Sequence, residues 1–135
     1  MRIMAAVSAL ATLIGAQGDP GIEGLWKNRI GSAIIAIEPC GHALCGKVVW
    51  ASQRGRREAA KGAANVVGTT VLTDLVRSDG RWTGTLFVPD DDIHVSARLQ
   101  LIGARELKLT GCALAGLFCR TQIWTRADGP LPPPD

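Results

Sequence analysis

The stretch HVSARLQL, residues 94 to 101, sets Val95, Ala97, Leu99 and Leu101 in strict alternation with His94, Ser96, Arg98 and Gln100. Successive side chains of an extended chain point to opposite faces, so this pattern predicts a strand with one face buried and one wet. Working outward from it, comparable runs occupy residues 25–28, 33–38, 45–51, 69–77, 81–88, 106–111 and 118–126, which with the first makes eight strands. The links between them carry turn chemistry: Ser78-Asp79-Gly80, Pro89-Asp90-Asp91-Asp92 and Gly103-Ala104-Arg105 are all short enough for antiparallel hairpins. The longest irregular stretch, residues 52–65, shows no clear amphipathic period, although residues 56–64 have room for a turn or two of helix.

Eight antiparallel strands with short turns protect their edges best by closing. The expectation is an all-β fold, a single antiparallel up-and-down β-barrel of about eight strands, with a two-sheet sandwich as the alternative. The barrel is preferred because no long Greek-key crossover is visible. At this strand number the interior is either filled by side chains or wide enough for one small ligand.

The first eighteen residues, MRIMAAVSALATLIGAQG, have one early cation at Arg2, an apolar run from Ile3 to Ile14 and then small residues. That is the layout of a signal peptide, with cleavage expected after Gly18. The run falls short of the roughly 20 apolar residues that a membrane-spanning helix needs. Residues 1–18 are thus read as a signal peptide that is removed, residues 19–126 as the barrel, and residues 127–135 as a proline-rich mobile tail. The expected location is the periplasm or the exterior. Losing Arg2 lowers the formal charge from +3 to +2, too little for nucleic-acid binding, which needs a strongly basic face.

An exported chain with an even number of cysteines favours disulfides. Cys40, Cys45, Cys112 and Cys119 fall in two pairs beside tight turns, which predicts bridges Cys40–Cys45 and Cys112–Cys119. A four-cysteine zinc site is the competing reading, but the intervals of four and six residues within the pairs suit it poorly. No metal or cofactor is expected.

Nor is catalytic machinery. His42 lies inside the first cysteine loop and His94 on the polar face of its strand, and no nucleophile, metalloprotease or phosphate-loop motif is present. Asp90, Asp91 and Asp92 lack the alternating spacing of a calcium loop. Arg54, Arg56, Arg57 and Lys61 form a basic segment interrupted by Glu58, read as solvated, with contact to anionic envelope lipid or polysaccharide as the sharper alternative. Of the tryptophans, Trp82 shares a face with Gly84, Leu86 and Val88, and by alternation Trp50 shares one with Val48 and Gly46.

Gly24-Leu25-Trp26, Ile37-Glu38-Pro39-Cys40-Gly41, Leu44-Cys45-Gly46 with Val49-Trp50, Asp79-Gly80-Arg81-Trp82, Gly111-Cys112, and Phe118 to Gln122 with Trp124-Thr125-Arg126 resemble the bacterial domain-of-unknown-function family numbered 2147. The resemblance runs from about Gly21 to Arg126 and implies an exported, lipocalin-like β-barrel; it brings no established activity. The segment after Trp50 is shorter and richer in alanine than is usual in that family. In lipocalin-like proteins an arginine of the last strand covers a Gly-x-Trp tryptophan, which implies that Arg126 stacks on Trp26 and closes one barrel end.

These readings converge on a binding module. The expected site is an apolar interior, open opposite Trp26 and lined by Trp82, Leu86, Val95, Leu99 and Leu109, that takes a small hydrophobic or amphipathic ligand. The alternative is a filled barrel that acts as a structural or interaction protein through its surface or its basic segment.

Overall fold

The alternating runs become strands β1 (Gly24–Lys27), β2 (Ala33–Cys40), β3 (Ala43–Ala51), β4 (Thr70–Ser78), β5 (Arg81–Val88), β6 (Ile93–Leu101), β7 (Glu106–Ala113) and β8 (Phe118–Arg126). The structure, a computed structural model, describes residues 21–133. Each strand pairs antiparallel with the next, and β8 returns to β1 through Trp26 opposite Arg126 and Lys27 opposite Thr125. The sheet is a closed barrel rather than a sandwich. The signal-peptide reading of residues 1–18 and the last two residues of the tail lie outside the described residues.

Closure places the inward faces of all eight strands around one core. Ile35, Ile37, Val48, Leu72, Leu75, Ala97, Leu99, Leu107, Leu109 and Trp124 are buried there together with Trp26. In β6 the inward set is the one that period two predicts: Ala97 and Leu99 are buried, while His94, Ser96 and Arg98 are exposed.

Alternation breaks where the ladder slips. Ile34 faces Trp50 and Ile35 faces Val48, which leaves Val49 as the extra residue of a bulge. Val48 and Ala51 therefore both enter the core, three positions apart, and Trp50 leaves it to lie opposite Ile34. The expectation that Trp50 shares a face with Val48 is corrected by this bulge, since one inserted residue exchanges the two faces. A second slip in β4, with Asp74 at φ 55°, brings Leu72 and Leu75 to the same side.

The segment after β3 is a helix, α1 (Gln53–Ala59), which starts earlier than residues 56–64. Ser52 caps it by accepting the Gly55 N–H at 3.0 Å. Tertiary contact holds this short helix in place: a Cβ at Gly55 would come within 2.5 Å of the Ser32 carbonyl oxygen, so only glycine permits the approach. Beyond Arg126 the chain leaves the sheet, with the Ala127 N–H bonded to the Leu25 carbonyl and Asp128 paired with Arg105.

Candidate functional site

The barrel's two ends differ in kind. At the end where β1 begins and β8 finishes, the Arg126 guanidinium carbon lies 4.1 Å from the centre of the Trp26 ring. The same guanidinium donates to the Glu23 carbonyl at 2.6 Å and the Gly21 carbonyl at 3.1 Å. Trp26 Nε1 donates to the Ile22 carbonyl at 2.8 Å, and Ile22 is itself fully buried. The segment before β1 thus crosses this end as a plug, and the hydrogen bonds of both Trp26 and Arg126 hold it down. Burial, reinforced by neighbouring Arg105, lowers the Arg126 pKa below the usual arginine value.

The opposite end is formed by the β1–β2 turn, α1 and the segment after it, the β5–β6 turn and the β7–β8 connection. Ala59 and Val66 are buried in the core, so the segment around them folds over part of this end. At Gly62 a Cβ would meet the Pro89 carbonyl oxygen at 2.7 Å, which shows how closely this cover approaches the β5–β6 turn. Beneath it lies a cavity of about 250 Å³ bounded by Val66, Val71, Leu86, Leu109, Gln122 and Trp124. A second cavity of about 580 Å³ opens beside the cover. Leu86, Leu109 and Gln122 belong to both walls, while Val95, Gly111 and Arg120 bound only the second.

Of the five residues expected to line the interior, Leu86, Val95 and Leu109 bound these cavities. Trp82 and Leu99 bound neither: they face each other across β5 and β6 nearer the plugged end, where Leu99 is fully buried. Period two tells which face a residue occupies but not its depth along the barrel, and these two are too deep. Gln122 and Arg120 were not among the expected residues. Their parity with Trp124 and Arg126 was the available signal, and their polarity argued against an inward position.

The remaining candidates are placed as follows. Cys40 is bonded to Cys45 across the β2–β3 hairpin at the plugged end, with Cα atoms 5.8 Å apart. Cys112 is bonded to Cys119 across β7 and β8 at the open rim, Cα to Cα 4.0 Å. That second bridge brackets a 3₁₀ turn, Leu114–Gly116, in which Leu114 and Ala115 have positive φ. Leu114, Leu117 and Phe118 are exposed there. Arg54, Arg56 and Arg57 stand exposed on α1, with Arg54 bonded to Glu58. His94 stacks on Phe87 at 4.7 Å outside the barrel, and His42 is exposed in its turn. Among the described residues no cluster of three or more metal-ligating side chains occurs, and no helix is long and apolar enough to cross a membrane.

Comparison with known proteins agrees with this architecture. The model of a family described as an uncharacterized protein conserved in bacteria, DUF2147, matches residues 24–126. Among solved structures, protein HP1028 of Helicobacter pylori, described as belonging to the lipocalin family, superposes with a TM-score of 0.62 at 12% identity, over 80% of this chain and 84% of that one. No curated protein matches the sequence.

Proposed function

The chain belongs to the bacterial DUF2147 family, and from that premise we propose that it is an exported β-barrel that holds a small hydrophobic or amphipathic molecule in its interior, in the periplasm or outside the cell. The observation that carries this reading is the asymmetry of the barrel. One end is plugged by Ile22, Trp26 and Arg126, whereas the other keeps cavity space against Leu86, Val95 and Leu109. A barrel whose only task is mechanical gains nothing from space left open on its apolar inner face, because lining atoms there forgo packing contacts. The likeness to a lipocalin-family protein supports the reading by analogy of shape, and the signal-like leader supports export.

Affinity would come from buried apolar area, at about 25 cal/mol per Å² before ordering costs, so discrimination among chain-like ligands of similar size should be weak. Gentle purification of the exported protein from its native envelope, followed by native mass spectrometry, tests this. A bound small molecule is expected; repeated recovery of the bare chain alone opposes the reading. The exposed Leu114, Leu117 and Phe118 favour a second reading, in which the rim itself is a docking surface for another protein.

A further inference from the structure

The inner face of β8 runs Arg120, Gln122, Trp124 from the open rim toward the plugged end, a gradient from charged to polar to apolar down a single wall. Arg120 lies in register with Gly111, and Gly111 with Ala97. The wall beside the guanidinium stem is therefore made of small residues. A Cβ at Gly111 would lie 3.2 Å from Val95 Cγ2 and 3.4 Å from Leu86 Cδ2, so the apolar chamber begins one residue away from the arginine. Among the described residues Arg120 is the single cation bounding the larger cavity, and its guanidinium makes no hydrogen bond or ion pair. The glutamine below it is partly engaged, its Oε1 accepting from Trp124 Nε1 at 3.0 Å.

A binding-only wall for a neutral chain has no use for a cation at this position. We infer that Arg120 receives the anionic head of a single-chain amphiphile, a carboxylate in the simplest case, whose tail lies along Leu86, Val95 and Leu109. This rests on the reading that the interior takes an amphipathic molecule and adds which end of it faces out and with what charge. Arginine suits the task because its planar fork pairs two N–H donors with two carboxylate oxygens, and because it stays charged at any relevant pH. Asp90 and Asp91 bound the same cavity and set the competing electrostatics. They repel an anionic head and attract a cationic one, so the sign of the preferred head is a measurable contest between Arg120 and this pair.

Dodecanoate, dodecanol and dodecylammonium share one chain and differ in the head, and their binding to the full protein is read by tryptophan fluorescence. Dodecanoate is expected to bind roughly tenfold more tightly than dodecanol, the scale of one charge-assisted hydrogen-bonded contact. Arg120→Gln should bring dodecanoate down to the affinity that the same variant shows for dodecanol, and Arg120→Lys should keep part of the preference. Equal affinity for dodecanoate and dodecanol, a preference that survives Arg120→Gln, or tightest binding of dodecylammonium would each overturn the assignment of Arg120 while the interior site stands. If none of the three binds, the interior-binding reading falls and the assignment with it.

Discussion

Arg126 covers Trp26 at 4.1 Å and, in the same pose, donates to the carbonyls of Glu23 and Gly21. One side chain thereby joins the last strand, the first strand and the segment that plugs the barrel. Cation–π contacts contribute about 0.5–2 kcal/mol, and hydrogen bonds from a charged donor about 1.5–3. These share a residue and do not add, so Arg126→Ala should cost about 2–3 kcal/mol in urea denaturation, with Arg126→Lys recovering a part. A variant as stable as the parent would show that the plug does not depend on this contact.

Gly24, two residues before Trp26, is bound to the same arrangement. Its φ is +125°, and a Cβ there would come 2.6 Å from Arg126 Nη1. Gly24→Ala should therefore lose stability both by backbone strain and by displacing Arg126, and combining it with Arg126→Ala should cost less than the sum of the two. Strict additivity in that double-mutant cycle would separate the two effects.

The two disulfides close loops of similar, small size, and the chain-entropy estimate gives about 2 kcal/mol for each. Cys112→Ser with Cys119→Ser should lower stability by about that amount and loosen the open rim, visible as faster hydrogen exchange at Ala113 to Phe118. Peptide mapping without reduction should recover 40 with 45 and 112 with 119; crossed pairs would overturn this assignment.

Asp90 gives the open end a pH dependence of defined sign. Burial at the rim, then the charges of Glu58 and Asp91, raise its pKa above the ordinary carboxylate value, although its own backbone hydrogen bond opposes this. The folded chain therefore holds this proton more tightly than the unfolded chain does, and ionised Asp90 opposes folding above its folded pKa. That penalty is relieved as the pH falls through the folded pKa. Asp90→Asn should be more stable than the parent at neutral pH, and the difference should vanish on acidification through the carboxylate range. A difference that grows toward acid pH would reverse the assignment.

Much of this was legible in the chain. Period two fixed the eight strands, and in β6 it separates Ala97 and Leu99 from Ser96 and Arg98 without error. It failed where one residue slips: nothing in Val48-Val49-Trp50 announces that Val49 bulges and sends Trp50 away from the core. Bulges are set by the fit of neighbouring strands, and a local pattern does not contain that. Depth was also hidden, since Trp82 and Leu86 share a face, yet only Leu86 reaches the cavities. The bounds of helix α1, expected only as a turn or two within residues 56–64, were hidden because the burial of Ala59 and the approach of Gly55 to Ser32 hold its seven residues, rather than an amphipathic period.

Gly111 offers the most direct test of an interior that binds, because a larger side chain there projects between Val95 and Leu86 into the cavity. Dodecanol titrated into wild type and Gly111→Leu, with tryptophan fluorescence as the signal and circular dichroism to check that the variant keeps its β fold, gives the measurement. Saturable one-to-one binding to the wild type, lost in the folded variant, is the predicted result. A wild type that gives no saturable response, or a folded variant that binds dodecanol as well as the parent, would contradict a ligand site inside the barrel.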